Sequence, residues 1–474
     1  MKQNSLAFGT SGIRGLVTAF TAEECYSFTA AFIDSIRSRG FQKILIAGDL
    51  RESTPSIIEM VVKALHRLGF EVVNGGMVPT PALAWGCATY QLPGVMVTGS
   101  HIPADRNGLK FYLPEGEILK SDEEAILKNY ARIKEESGFE KHPRYDSGMI
   151  KTIDLGALFK DRYLNSKLGT DLSGLKIGFY AHSSVARDLY PEIFRKFGAE
   201  VFEFGRSTQF IPVDTEAVES VHFLASILKE NKLDLVVSTD GDADRPLVIT
   251  DQGAVVPGEI LGLITSKILG IDSIVYPVSC SSALQASGWM KECMITRIGS
   301  PFVLGRMLEK IATDRSAKVA GFEANGGYLL GAEVAGLKPL MTRDSLLPIL
   351  SLLFMMKKEK SSASALLKPF SAYVNRSGLI KNFPKENSEK VLSIFKAKLA
   401  DGGHFGCPVE LGGVMVVNEL DGIRAQFKNG STVHLRPSGN APEFRLYIES
   451  NSVENADLVL GFFENWVKSQ VRNS

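Results

Sequence analysis

Three closely spaced aspartates are the clearest sign of chemistry in the sequence. Asp240, Asp242 and Asp244 alternate in DGDADR, directly after the apolar run LDLVVST. Alternate residues of an extended loop point the same way, so the three carboxylates can converge on one hard cation. A calcium loop needs glycine at its sixth position, where Arg245 stands. The pattern predicts a site for Mg²⁺. The alternative, a solvated acidic turn, is disfavoured because three unpaired carboxylates would repel one another.

A serine on a glycine-containing loop is a candidate nucleophile. Ser100 lies in TGSHIP and NGLK follows it, so His101 and Lys110 are placed to assist. The letters do not read G-x-S-x-G, which argues against the nucleophile elbow of a hydrolase. Serines are common in turns, so the segment by itself is also compatible with a plain strand end.

Three other loops carry groups suited to sugars or anions. Glu323 and Asn325 alternate in GFEANGG and offer hydrogen-bonding groups to sugar hydroxyls. The segment RPSGN combines a guanidinium, a hydroxyl, an amide and exposed backbone, which suits an anion. Arg424 and Arg445 add positive charge close to it in the sequence. The segment GTSGIRG brings Arg14 on a glycine-rich loop but lacks the G-K-[ST] of a phosphate-binding Walker loop.

Strand-like and helix-like segments alternate along most of the chain and predict an α/β fold. Strand-like runs recur in three sets of three, beginning at Lys43, Gly69 and Pro93; Leu175, Gly198 and Leu233; and Asp272, Cys293 and Ala317. The third run of each set leads into the serine, aspartate or glutamate loop, and open α/β sheets bind ligands at such strand ends. We predict three similar α/β domains with mixed sheets (1–150, 151–253 and 254–367) and a smaller α+β domain (368–474).

Composition restricts the class of protein. The 474 residues include 53 Lys and Arg and 53 Asp and Glu, a balance that argues against coating nucleic acid or an anionic membrane. The five cysteines form no C-x-x-C pair, which favours a reducing compartment. The first residues contain no apolar segment, so we expect no signal peptide. The apolar run 346–356 is shorter than the roughly 20 residues of a spanning helix. We therefore expect a cytoplasmic protein with neither a nucleic-acid nor a membrane partner.

The loops in this order resemble the α-D-phosphohexomutase superfamily, over essentially the whole chain. GTSGIRG, the serine loop with NGLK, DGDADR and RPSGNAPEFR carry the resemblance, and the variants SHIPADRNG and GFEANGG look most like bacterial phosphomannomutases. The resemblance implies four domains around a central active-site cleft. It also implies interconversion of mannose 1-phosphate and mannose 6-phosphate through a phosphoserine enzyme and a hexose 1,6-bisphosphate, with one Mg²⁺ per chain.

The resemblance also implies a role for each loop residue. Ser100 is the phosphorylated serine and joins Asp240, Asp242 and Asp244 as a metal ligand. The other catalytic residues are His101, Lys110, Arg14 and Arg245. The substrate-binding residues are Glu323, Asn325, Arg424, Arg436, Ser438, Gly439, Asn440 and Arg445. Those in the RPSGN segment hold the non-reacting phosphate.

Two segments depart from the family pattern. Many relatives have Asn after the Ser-His pair, where this chain has Ile102, and many have G-E-x-S-G-H where this chain reads FEANGG. Asn325 therefore replaces a serine and Gly327 a histidine. A proton-transfer role for that histidine cannot operate here, which leaves Lys110 or His101.

Other functions remain open at this stage. Within the family these are a phosphoglucomutase, an enzyme of dual specificity and a phosphoglucosamine mutase. Outside it they are a Mg²⁺-dependent sugar-phosphate phosphohydrolase and a phosphosugar-binding protein without activity. A separate phosphate cradle argues against a hydrolase, since it would retain a bisphosphate. We expect hexose phosphates as substrates and a monomer or homodimer.

Overall fold

Four β-sheets organise the part of the chain that the structure describes. The computed structural model describes residues 6–9, 12–136, 150–438 and 442–472. Contacts divide the chain into two compact units: the first comprises Met1–Val275 and Gly299–Leu366, and the second comprises Tyr276–Ile298 and Leu367–Ser474. No helix among the described segments is both long and apolar enough to cross a membrane.

The first sheet has the strand order β1-β2-β6-β5-β3-β4-β8, with β7 paired to β6. Its strands are β1 (Ala7–Gly9), β2 (Gly12–Leu16), β3 (Lys43–Gly48), β4 (Glu71–Met77), β5 (Gly94–Val97), β6 (Arg106–Leu113), β7 (Gly116–Glu117) and β8 (Ile150–Thr152). The accompanying helices are α1 (Ala22–Ile36), α2 (Thr54–Arg67), α3 (Thr80–Tyr90), α4 (Lys120–Glu135) and α5 (Leu155–Leu164). Residues of β3 and β5 pack against α1 and α2 in one apolar core.

The second sheet has the order β10-β9-β11-β12. Its elements are β9 (Lys176–Tyr180), α6 (Leu189–Lys196), β10 (Glu200–Phe204), α7 (Val221–Glu230), β11 (Leu235–Thr239) and β12 (Pro246–Ile249). Every residue of β11 and β12 is buried, as expected for strands covered on both faces.

The third sheet has the order β14-β13-β15-β16-β17. Its elements are α8 (Gly258–Leu269), β13 (Ser273–Pro277), α9 (Ala283–Ala286), β14 (Glu292–Thr296), α10 (Ser300–Thr313), β15 (Val319–Phe322), β16 (Tyr328–Leu330), β17 (Leu340–Asp344), α11 (Leu346–Glu359) and α12 (Ala363–Leu367). The long apolar run of the sequence forms α11, which is buried along nearly its whole length.

One topology recurs in these three sheets. In each set the first strand lies between the second and the third, as in β4-β3-β5, β10-β9-β11 and β14-β13-β15, and an antiparallel strand follows the third. The connections from that third strand to its antiparallel neighbour are the serine loop (98–105), the metal loop (240–245) and the sugar loop (323–327). The three chemically interesting loops therefore occupy equivalent places in three similar sheets.

The C-terminal sheet is antiparallel throughout, with the order β18-β22-β21-β20-β19. Its elements are β18 (Val374–Lys381), α13 (Lys385–Ala400), β19 (Val414–Asn418), β20 (Ile423–Phe427), β21 (Thr432–Pro437), β22 (Glu443–Ser450) and α14 (Val453–Arg472). Apolar residues of α13 and α14, such as Phe395 and Phe463, share a core with Leu435 and Ile448 of the sheet. The prediction of three α/β domains and a different, sheet-rich fourth is confirmed. The proposed domain boundaries stay predictions.

Candidate active site

The serine loop presents Ser100 directly to the metal loop. Ser100 Oγ donates a hydrogen bond of 2.6 Å to Asp240 Oδ2, and both residues are buried. Ser100 has a φ of 56°, in the left-handed region that non-glycine residues seldom adopt. Its backbone N–H donates to Thr98 Oγ1 at 2.8 Å, which helps to hold that conformation. A strained, buried serine aimed at a carboxylate is typical of a functional site.

The three aspartates of the metal loop converge as the sequence predicted. Asp240, Asp242 and Asp244 are fully buried, and each offers a carboxylate oxygen within 4.8 Å of the others. Among the described residues, no hydrogen-bond donor reaches Asp242 Oδ1 or Asp244 Oδ1. A buried acceptor without a partner costs free energy, and carboxylate oxygens are the ligands that Mg²⁺ prefers. The residues present therefore fit a hard divalent cation.

Lys110 and Thr80 support the metal loop from the first domain. Lys110 Nζ donates to Asp242 Oδ2 at 2.6 Å and to Asp244 Oδ2 at 2.7 Å. Thr80 Oγ1, in the first turn of α3, donates to Asp242 Oδ2 at 2.6 Å. Burial raises the pKa of Asp240, and the two neighbouring aspartates raise it further. Burial acts to raise the pKa of Asp244, but Arg343, Lys110 and Arg245 together outweigh it, so the pKa of Asp244 is lowered.

Several positive charges surround the same place. Burial, Arg245 and Arg343 lower the pKa of Arg14 to about 10. Burial, Arg245 and Arg14 lower the pKa of His101 to about 2, and its Nδ1 lies 3.4 Å from Ser100 Oγ. Such shifts require the cations to lie near one another. The cluster therefore suits a doubly charged anion such as a phosphoryl group. Thr10 and Ser11 of the segment GTSGIRG lie outside the described residues.

A buried arginine holds the serine loop in shape. The Arg51 guanidinium donates to four backbone carbonyls of this region: Ser100 at 2.9 Å, Ile102 at 2.6 Å, Pro103 at 2.7 Å and Arg106 at 3.0 Å. The Asp49 carboxylate accepts from Arg51 Nε, Thr98 Oγ1 and the Gly99 N–H. Ile102 takes part through its backbone carbonyl, so this contact does not depend on its side chain. The sequence analysis missed this pair, although D-L-R after an apolar strand offered a signal.

The sugar loop is held largely by its own hydrogen bonds. Asn325 Nδ2 donates to Glu323 Oε2 at 3.4 Å, and the Gly327 N–H donates to Asn325 Oδ1 at 3.0 Å. Gly326 has a φ of 80°, and a Cβ there would lie 2.8 Å from the Gly258 Cα. Only glycine fits such a position. Glu323 and Asn325 are both buried and share one loop, as the sequence predicted.

Three arginines lie together on one face of the C-terminal sheet. Arg436 and Arg445 are directly opposite across β21 and β22, and Arg424 is opposite His434 across β20 and β21. Arg436 Nε donates to Asp421 Oδ1 at 2.8 Å. Arg445 Nη2 donates to Glu443 Oε2 at 3.5 Å, so both opposed arginines have a carboxylate partner, and the other N–H groups of the guanidinium groups on this face suit a phosphate.

The turn between β21 and β22 carries the other residues that are expected to bind phosphate. The Ser438 N–H donates to the Glu443 carbonyl at 2.8 Å. Gly439 and Asn440, also expected to bind phosphate, lie outside the described residues. Their roles, and those of Ser438 and the three arginines, stay predictions.

Family models match three successive segments of the chain. Their descriptions are Phosphoglucomutase/phosphomannomutase, alpha/beta/alpha domain I at residues 5–137, domain II at residues 161–253 and domain III at residues 257–373. Together these segments cover well over half of the sequence.

Full-length relatives agree with the family models. A phosphomannomutase of Sinorhizobium fredii is 38% identical over 463 residues, covering 96% of this chain and 97% of the relative. A phosphomannomutase of Salmonella muenchen is also 38% identical, covering 99% and 97%. The structure of a putative phosphomannomutase from Thermus thermophilus superposes with a TM-score of 0.77 at 20% identity, covering 98% and 99%. This chain belongs to the phosphoglucomutase/phosphomannomutase family and is an isomerase of the phosphohexomutase class.

Proposed function

We propose that the chain interconverts mannose 1-phosphate and mannose 6-phosphate through phosphorylated Ser100 and a hexose 1,6-bisphosphate. The observation that carries the proposal is the 2.6 Å hydrogen bond from Ser100 Oγ to Asp240, inside a cluster of three buried carboxylates. The choice of mannose draws on the two relatives that are 38% identical over nearly the full length and are named phosphomannomutases.

Asp240, Asp242 and Asp244 are the residues that would hold Mg²⁺, with Ser100 Oγ beside them. When bound, such an ion offsets the charge of the transferring phosphoryl group. The basic residues of this chain act on the same charge. Lys110 donates a hydrogen bond to each of two carboxylates and offsets part of their charge, and Arg14 and Arg245 supply positive charge near Ser100.

Phosphoryl transfer needs one bond to form and one to break. The free hydroxyl oxygen of a bound hexose monophosphate forms a bond to the phosphorus on Ser100, and the phosphorus–Oγ bond breaks. The hydroxyl proton leaves to a nearby base. The bisphosphate then reorients in the site, so that its other phosphate faces Ser100. That phosphate returns to Ser100 by the reverse step, which regenerates the phosphoserine.

Lys110 and His101 are the two candidate bases for the hydroxyl proton. Both hydrogen bonds of the Lys110 ammonium go to carboxylates, so this group serves to stabilise charge. His101 Nδ1 lies 3.4 Å from Ser100 Oγ, the oxygen that carries the phosphoryl group, and burial and neighbouring arginines lower the pKa of His101. Lys110 and His101 both stay candidates for the group that takes the hydroxyl proton.

Substrate recognition is divided between two sets of groups. Glu323 and Asn325 offer a carboxylate and an amide to the sugar hydroxyls. The non-reacting phosphate belongs to the arginine face of the C-terminal sheet, with Arg424, Arg436 and Arg445. Guanidinium groups bind phosphate through paired hydrogen bonds in either orientation of the sugar. The mechanism requires this, because the bisphosphate must bind in both orientations.

A cytoplasmic location is part of the proposal. All five cysteines lie in described segments and no disulfide joins them. Burial raises the pKa of Cys25 to about 12, so this thiol stays protonated at neutral pH. Reduced cysteines are typical of a cytoplasmic enzyme.

The test is ³¹P NMR of the purified chain with Mg²⁺, a trace of hexose 1,6-bisphosphate and equal mannose 1-phosphate and glucose 1-phosphate. We expect mannose 6-phosphate to grow ahead of glucose 6-phosphate. Faster glucose 6-phosphate would keep the mechanism and overturn the sugar. Inorganic phosphate alone would indicate a hydrolase, and no change a binding protein. Ser100→Ala is the control and should leave every resonance unchanged.

A further inference from the structure

Arg343 is a buried arginine at the end of β17 that the mechanism above does not use. Only 1% of its surface is exposed. Its Nη2 donates to Asp244 Oδ2 at 2.8 Å, and its Nη1 lies 3.7 Å from Glu323 Oε2. One guanidinium therefore joins the metal loop to the sugar loop.

Glu117 of β7 approaches the same guanidinium from the first domain. Its Oε1 lies 4.0 Å from Arg343 Nε and accepts a hydrogen bond of 2.7 Å from Thr342 Oγ1. Its Oε2 accepts from Ser300 Oγ at 2.9 Å. Two hydroxyls orient this carboxylate, which attracts the guanidinium at ion-pair distance rather than through a hydrogen bond.

Gly327 gives Arg343 the room that it occupies. A Cβ at position 327 would lie 2.6 Å from the Asp244 carbonyl oxygen and 2.7 and 2.8 Å from Arg343 Cβ and Cγ. Real Cβ atoms do not approach that closely, so a side chain at 327 and Arg343 in this position exclude each other. Position 327 is where the family pattern has histidine, and in this chain Arg343 places a basic group beside the metal loop.

We propose that Arg343 is the positioning residue that holds the metal loop and the sugar loop in register. Arg343 and Lys110 both donate to Asp244 Oδ2, whereas Asp244 Oδ1 accepts no hydrogen bond from the described residues and lies 3.7 Å from Arg245 Nε, so Oδ1 is the oxygen better placed for a metal. Nη1 of the same guanidinium lies 3.7 Å from Glu323 Oε2 and attracts the Glu323 carboxylate towards Asp244. This role rests on the proposed mutase function, because it matters when a sugar phosphate spans both loops.

The test compares Arg343→Met and Arg343→Lys with the unaltered chain, all phosphorylated at Ser100 beforehand. For Arg343→Met we expect kcat to fall about 100-fold, as when one preorganised donor is lost. We expect KM for mannose 1-phosphate to rise about tenfold, because Glu323 loses its partner. Arg343→Lys keeps the charge without the fork and should recover part of kcat but little of KM.

Metal affinity, measured with Mn²⁺ alone by electron paramagnetic resonance, separates positioning from general damage. Arg343→Met should weaken Mn²⁺ binding about fivefold, because Asp244 is no longer held with Oδ1 towards the metal, and Arg343→Lys should recover part of the affinity. General damage is measured by the control variant Arg162→Met, which should leave the Mn²⁺ affinity unchanged. Unchanged or tighter Mn²⁺ binding in Arg343→Met, or unchanged kcat and KM, would overturn the inference.

Arg162→Met is the matched control for the loss of a buried arginine. Arg162 is also buried, donates to the Lys338 carbonyl at 2.7 Å and stacks on Trp85. We expect it to lose stability while kcat, KM and Mn²⁺ affinity stay constant. If Arg343→Met does not fold, Glu117→Gln replaces it and should raise KM and lower kcat by smaller factors. If the unaltered chain lacks mutase activity, the proposed function fails, and the Mn²⁺ measurement still decides the role of Arg343.

Discussion

The metal loop and the sugar loop occupy the same place in two similar sheets, yet they are built for different chemistry. Each connects the third strand of its set to an antiparallel neighbour. The metal loop is held by side chains from elsewhere in the first unit: Thr80 and Lys110 bind Asp242, and Arg343 binds Asp244. The sugar loop is held mainly by hydrogen bonds among its own residues, from Glu323 to Gly327.

The difference shows how one topology can carry two functions. Strand order places both loops at the carboxyl end of a parallel strand, where ligands bind. The surrounding charges then decide what each loop can do. Three buried carboxylates are stable only beside cations such as Lys110 and Arg343. The metal loop therefore lies among strong charges of both signs, which suits phosphoryl transfer. The sugar loop carries one carboxylate and one amide, which suits neutral hydroxyls.

The largest effect should follow from removing charge in the metal loop. Asp242→Asn keeps the shape of the side chain but weakens cation binding, so we expect kcat to fall by about 10³-fold or more. The measurement is kcat across a Mg²⁺ titration. Asp251→Asn is the matched control, because Asp251 also accepts hydrogen bonds, from Ser364, outside the site. A normal Mg²⁺ titration for Asp242→Asn would remove this residue from the metal site.

The same isosteric change in the sugar loop should act on binding instead. For Glu323→Gln we expect KM for mannose 1-phosphate to rise about tenfold with kcat within a factor of about three, because one hydrogen bond to a hydroxyl is weakened. Steady-state kinetics at saturating Mg²⁺ measure both constants. If Glu323→Gln shifted the Mg²⁺ titration as Asp242→Asn does, the distinction between the two loops would be lost.

Backbone conformation offers a third contrast. Both loops have one residue in the left-handed region: Ala243, with a φ of 56°, and Gly326, with a φ of 80°. Gly326→Ala adds a Cβ against Gly258 and should lower the free energy of unfolding by about 2 kcal/mol. Ala243→Gly relieves strain but loses a buried methyl group, so we expect a change within about 1 kcal/mol.

Urea denaturation followed by circular dichroism measures both variants. Equal losses of stability in Gly326→Ala and Ala243→Gly would show that the two turns are equally constrained. That result would contradict the expectation that a Cβ is excluded at Gly326 but accommodated at Ala243.

The smallest effect concerns a histidine beneath the metal loop. His182 Nε2 lies 3.0 Å from the Thr239 carbonyl, and burial lowers the pKa of His182 to about 4. The unfolded chain binds this proton below about pH 6.5, whereas the folded chain resists it, so stability is lost as pH falls. We expect His182 to account for a loss of about 1 kcal/mol between pH 7 and pH 5.5.

His182→Asn is the variant that isolates this contribution, since asparagine also tolerates the φ of 24° found here. Unfolding free energies at pH 7 and pH 5.5 should differ less in the variant than in the unaltered chain. An unchanged difference would assign the acid sensitivity to other groups, such as His434 of the second unit, whose pKa burial also lowers to about 4.

Much of the fold and the core of the candidate site could be read from the sequence, because their signals are local. Apolar runs followed by small or charged residues marked the strands that lead into all three loops. Asp240, Asp242 and Asp244 lie within five residues of one another, so the convergence of their carboxylates followed from extended-chain geometry alone. The antiparallel C-terminal sheet was indicated in the same way, by short alternating segments.

Only the tertiary structure decided which distant side chains complete those loops. Thr80, Arg51, Glu117 and Arg343 are single residues far along the chain from their partners, and such pairs have no periodic signature. Gly327 is the clearest case. In the sequence, Gly327 stands where the family pattern has a histidine. In the structure, the lack of a side chain at Gly327 leaves the space that Arg343 occupies. The physical reason is that a buried charge needs a partner, and packing alone determines which one reaches it.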